Sequence, residues 1–180
     1  THYSYKIRSV CSITDKSHFT SPQTVSTLCE NIMELPYHEG FDTYGTYQST
    51  DEEVVPPCWK SQVIYPTGHV STTLHITGDS YYVFSGIGSL QVYNQAPSYT
   101  VMALPALDAS IDKDYVKISL DAKLYYSSDL TVGMMTNPLD PSTFTAIPMT
   151  LVVSYGSNWY HAEAYLSDYH GTGRFIAFKN

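Results

Sequence analysis

Apolar and polar residues alternate with period two along much of this chain, the spacing of half-buried strands. Over residues 1–11, Tyr3, Tyr5, Ile7 and Ser9 fall on one face and His2, Ser4, Lys6 and Arg8 on the other. A turn-rich stretch (SITDKSHFTSP) leads to a second strand over 23–29, so residues 1–29 read as a hairpin. The clearest alternation lies within 114–126. There Val116, Ile118, Leu120, Ala122 and Leu124 face one way, and Tyr115, Lys117, Ser119, Asp121, Lys123 and Tyr125 the other. Further strands are expected over 70–78, 80–86, 88–95, 99–107, 129–135, 149–155, 159–169 and 173–180. Phe175-Ile176-Ala177-Phe178 is apolar on both faces and belongs in the middle of a sheet. Residues 30–62, with an acidic Asp51-Glu52-Glu53 cluster and Pro56-Pro57, read as a junction and an irregular lead-in.

Many short strands, Gly/Pro turns and no helical period predict an all-β, antiparallel β-sandwich. Composition agrees: 17 Tyr and only 14% charged residues suit a pleated, half-buried surface. A hydrophobic content of 43% excludes a disordered chain. The net charge of −8 gives no broad electrostatic attraction to nucleic acid or an anionic membrane. No run approaches the ~20 apolar residues of a membrane helix, so membrane insertion is not expected. Cys11, Cys29 and Cys58 are odd in number and lack a CxxC spacing; they read as buried small side chains or a Cys11–Cys29 bridge.

Two segments carry a family resemblance. The alternating HYSYKIRSVC, the DKSHFTSP loop and QTVSTLC resemble the last two strands of a fibronectin type III domain, giving residues 1–30 as the end of one module. From residue 35, LPYHEGFDTYG followed by PPCW resembles the opening of the cleaved-adhesin or choice-of-anchor J jelly rolls, relatives of MAM-like and carbohydrate-binding modules. YTVMALPAL, LTVGMMTNPLDPSTFTAI and GTGRFIAF continue the likeness, so residues 31–180 would be a jelly roll. The resemblance implies a secreted, multidomain cell-surface protein of Bacteroidetes type, with neighbouring modules in the same polypeptide. It also implies part of a module upstream and one further strand, containing Ile-Asp-Asp, downstream. Without that strand, the run at 175–178 would lack a neighbour and leave backbone groups unpaired. A structural calcium is implied near the lead-in, with Glu39 and Asp42 as ligands.

Candidate chemistry is sparse. No HExxH occurs, and His69 and His75 on one strand would lie ~20 Å apart, too far for one ion. No GxSxG elbow occurs; Asp168 and His170 lie near each other, with no serine assigned to them. The scattered acids single out no glycosidase pair. Gly171 and Gly173 read as a tight turn of positive φ, and Gly133 as a bulge or close approach. In the adjacent pairs Tyr81-Tyr82, Tyr125-Tyr126 and Trp159-Tyr160, one ring of each should face the core and the other solvent. Tyr126, Trp159 and Tyr160 are the candidate ligand-binding residues. The expected function is a non-catalytic binding or adhesion module for a glycan or host surface protein. The alternatives are a structural spacer and an accessory domain of a secreted protease or glycosidase.

Overall fold

A computed structural model describes residues 2–12, 14–26, 29–44, 55–66, 72–124, 129–149 and 158–180. Tyr126, the Asp51-Glu52-Glu53 cluster, His69 and nearly all of the strand expected over 149–155 lie outside the described residues. The fold is all-β, and among the described residues the paired strands are all antiparallel, with one isolated parallel bridge between Ile32 and Leu107.

A hairpin opens the chain, pairing β1 (His2–Tyr5) with β2 (Gln23–Ser26). Beyond it the arms stay loosely joined. Thr20 donates its amide to the Ile7 carbonyl at 2.8 Å, and the chain turns where Cys11 donates to the Asp15 carbonyl. The cysteine expectation is corrected: Cys29 is bonded to Cys58, and Cys11 is exposed and free. Cys11 sits at the hairpin's turn, whereas Cys29 leads out of β2 to within 5.3 Å (Cα–Cα) of Cys58, beside the buried Trp59. Closing a loop of 29 residues stabilises the fold by roughly 3–4 kcal/mol on the chain-entropy account.

The main sheet has five strands: β3 (Lys60–Ile64), β6 (Tyr99–Ala106), β11 (Phe175–Lys179), β8 (Thr131–Met135) and β9 (Thr145–Ala146), in that spatial order. β3 begins within the stretch expected to be irregular, at Lys60, and runs two residues past its end. The doubly apolar run is central, as expected, and its missing-neighbour expectation is corrected: β6 pairs on one side and β8 on the other. Alternation assigns its side chains. Ile176 joins Leu104, Val132 and Met134 on one face, while Ala177 joins Val101, Ala103 and Met135 on the other. The register shift lies between β11 and β6, where Ala103 to Ala106 spans one residue more than Phe175 to Ala177 opposite, rather than at Gly133. Gly133 is instead a close approach, since a Cβ there would lie 2.6 Å from the Phe144 ring.

Over the first face lies a ribbon of β7 (Lys117–Ala122) and β10 (Tyr160–Tyr165). The predicted inward set holds: Val116, Ile118 and Leu124 are buried, and Leu120 and Ala122 pack on the same core, with Ala162 and Ala164 opposite. Sheet and ribbon thus enclose one core as a sandwich. A second ribbon pairs β4 (Thr72–Thr77) with β5 (Ser89–Asn94).

The strand expected over 80–86 is absent; residues 78–88 are the loop joining β4 to β5. Asp79 decides this, because its carboxylate accepts the Tyr81 amide at 2.9 Å and its carbonyl accepts the Tyr82 amide at 2.8 Å. An Asp side chain that bonds its own backbone two residues on forms a turn. Positive φ occurs at Gly86 (69°), not at Gly171 or Gly173, which lie against the Tyr169 ring.

Candidate functional site

The β4–β5 loop presents apolar side chains to solvent. Tyr81 and Phe84 are each 53% exposed and Ile87 is 64% exposed. The loop's backbone is nonetheless fixed. Ser89 donates its hydroxyl to the Tyr82 carbonyl at 2.6 Å. Asp42 accepts the Ile87 amide at 2.7 Å and the Gly88 amide at 3.2 Å on a single oxygen, Oδ1. Gly86 has left-handed backbone, and a Cβ there would collide with the Asp42 carboxylate. Phe41, next to Asp42, is itself left-handed (φ 60°) and meets Trp59 edge-on at 5.9 Å. Trp59 stacks on Phe178 at 6.3 Å. The loop is therefore tied through Asp42 and Phe41 to the core.

Glu39 serves the same segment. Its two oxygens accept the Phe41 amide and the Tyr44 hydroxyl, each at 2.7 Å. Burial, and then that hydrogen bond, push the Tyr44 hydroxyl up to about 12. Both residues expected to bind calcium thus accept hydrogen bonds that shape the lead-in and the loop. Calcium takes six to eight oxygens; Glu39 Oε1 and Oε2 and Asp42 Oδ1 are three candidates, and each already accepts a hydrogen bond. No cluster of three or more His, Cys, Asp or Glu with metal-ligating geometry occurs among the described residues.

The loop's rings meet the end of the β7–β10 ribbon. Phe84 and Trp159 lie 5.2 Å apart between centroids, and Tyr81 and Tyr82 touch edge-to-face at 5.1 Å. Tyr81 is exposed and Tyr82 half-buried, but the strand expected to alternate them is a turn. Lys123 ties the two elements together: it donates to the Tyr81 carbonyl at 2.6 Å and stands 3.7 Å above that ring. It is also 6.0 Å from the Trp159 ring. Each such cation–π contact contributes ~0.5–1 kcal/mol at an exposed site. An open groove of about 310 Å³ runs along the loop from Gly78 to Ile87.

Of the sequence-predicted ligand residues, Trp159 belongs to this cluster. Tyr160 packs against the core, as alternation requires of its neighbour. Tyr81, Phe84 and Lys123 were not selected from sequence; the Gly-Asp-Ser preceding the tyrosines was the available turn signal.

From Trp159 the ribbon's outer face continues into a polar ladder. His161 Nδ1 lies 2.9 Å from Asp121, and Lys117 lies 2.8 Å from Glu163. Tyr165 donates to the other Glu163 oxygen at 2.9 Å. The Lys117 ammonium holds the Glu163 carboxyl below the usual carboxylate range, and Glu163 in turn raises the Lys117 ammonium. Among the described residues, the polar partners of His161 are the Asp121 and Glu163 carboxylates. Asp168 and His170 are exposed at the end of a short 3-10 turn (Leu166–Asp168). No helix among the described residues is long and apolar enough to cross a membrane. Searches of family models, curated proteins and solved structures find no match to this chain.

Proposed function

We propose that this chain is a non-catalytic binding module of a secreted, cell-surface protein, and that Tyr81, Phe84 and Trp159 form its contact surface for a glycan. One observation carries the reading: apolar rings are held at the surface by a loop whose backbone is fixed at Asp79, Asp42 and Ser89. Rigid rings with a polar neighbour lose little entropy on binding, and sugar faces stack on them. The disulfide suits an oxidising, extracellular compartment. The reading keeps the jelly-roll resemblance of residues 31–180 and takes 1–30 as the end of a fibronectin type III-like neighbour.

A polysaccharide and glycan array probed with the chain and with Trp159→Ala tests this. Retention of the chain and loss in the variant are expected. Retention of neither, or retention that ignores the substitution, overturns the reading. A structural spacer is the second reading, favoured by the disulfide that ties the hairpin's exit strand to the sandwich. Replacing the module by an unrelated domain of equal span, with surface adhesion retained, would select it.

A further inference from the structure

The aromatic cluster does not end at Trp159. Trp159 precedes Tyr160, which pairs with Ala122; one step further in that register sets Trp159 opposite Lys123. On β10, His161, Glu163 and Tyr165 share the exposed parity of Trp159, while Ala162 and Ala164 are buried. On β7, Lys117 and Asp121 share the parity of Lys123. The rings and the polar ladder therefore form one continuous outer face. Six strand steps lead from Trp159 to Tyr165, or ~20 Å. An aromatic group stands at each end: Trp159 with Phe84 at one, and Tyr165, 49% exposed, at the other.

Among the described residues of the β7–β10 ribbon, through Lys123, the charges on this face balance. Lys117 and Lys123 are matched by Asp121 and Glu163, with His161 between the two carboxylates. The whole chain, by contrast, carries −8. An acidic polymer would meet no surplus of cations here and a repelling field from the rest of the molecule. A cationic polymer would meet no surplus of acids on this face. What the face does offer is hydroxyl-sized donors and acceptors between two stacking platforms.

Resting on the binding reading above, we infer that this face takes an extended, neutral polysaccharide chain lying along β10. Trp159 stacks one sugar ring, and Tyr165 contacts a unit several residues further along. His161, Asp121, Glu163 and Lys117 hydrogen-bond to hydroxyls between them.

The test is calorimetric titration of the chain with β-1,4-linked gluco-, xylo- and manno-oligosaccharides of two and six units, and with hexagalacturonate as the acidic counterpart. One neutral series should bind, its six-unit member about tenfold or more tighter than its two-unit member, a difference of ~1.4 kcal/mol. Hexagalacturonate should bind more weakly than the neutral hexamer. Trp159→Ala should abolish binding of both lengths. Tyr165→Ala should weaken the hexamer several-fold and leave the dimer unchanged; Tyr165 is exposed, and far-UV circular dichroism reports the variant's folding. Equal affinity for both lengths, or no effect of Tyr165→Ala on the hexamer, overturns the extended site while leaving a Trp159-dependent platform intact. Tighter binding of hexagalacturonate overturns the neutral class. Failure of every sugar to bind overturns both this inference and the reading it rests on.

Discussion

Tyr81-Tyr82-Val83-Phe84 and Phe175-Ile176-Ala177-Phe178 are both four-residue apolar runs, each with an aromatic residue at either end. The second is the middle strand of the five-stranded sheet, and Ala177 is wholly buried. The first is a loop with half of its Tyr81 and Phe84 surface in water. Their β-propensities are alike, so the flanks decide. Gly78-Asp79-Ser80 bends the first run back on itself, while Arg174 leads the second straight into pairing with Met135 and Leu107. Three hydrogen-bonding residues, Asp79, Asp42 and Ser89, hold these rings at the surface where burial would have stabilised the fold more, and the proposed contact surface rests on that contrast.

The largest effect belongs to the buried run. Met134→Ala, beside Ile176 in the core, should cost about 2–5 kcal/mol in urea unfolding. Phe84→Ala should cost about 0.5 kcal/mol or less, as at other exposed positions. Comparable losses would collapse the distinction between the two regions. Replacing Cys29 and Cys58 together by Ser should cost roughly 3–4 kcal/mol, read as the loss in urea midpoint at constant slope. Asp42→Ala should cost about 1–2 kcal/mol, from two amides left without an acceptor. It should also weaken glycan binding, with Asp42→Asn milder because Oδ1 still accepts. Calcium sharpens the role of Asp42: millimolar calcium and its chelation should leave the melting temperature unchanged. A calcium-dependent rise that Asp42→Asn abolishes would instead make the lead-in a metal centre.

The smallest effect is electrostatic. Lys117 lowers the Glu163 carboxyl, so that pair's stabilisation is complete above the ordinary carboxylate range. It is lost as pH falls through the lowered Glu163 value. Tyr44 works in the opposite direction. Its hydroxyl, raised from 10.0 to about 12, stabilises the fold below pH 10 and ceases to do so as pH rises through about 12. Tyr44→Phe should flatten the alkaline limb of a pH–stability profile.

Strand faces were legible wherever one face met the core, as at Val116, Ile118 and Leu120, because burial there enforces period two. The central place of Ile176 and Ala177 was legible because both parities are apolar. The disulfide partner was not, since bridging depends on which loops approach in space, and three cysteines allow three pairings. The site was half legible. Trp159 stood out by residue type, but Lys123 and Tyr81 meet only because the hairpin loop folds over the ribbon's end. Asp42 was singled out for its carboxylate, yet its acceptor role depends on amides 45 and 46 residues away in sequence.

The central claim is that the exposed rings are a contact surface. Trp159 is half-buried at the proposed site, whereas Trp59 is 7% exposed in the core, so an aqueous quencher reaches mainly Trp159. Tryptophan fluorescence should be protected from acrylamide when a glycan retained on the array is added at saturation. Saturation of binding with quenching unchanged would place the ligand elsewhere and contradict the account.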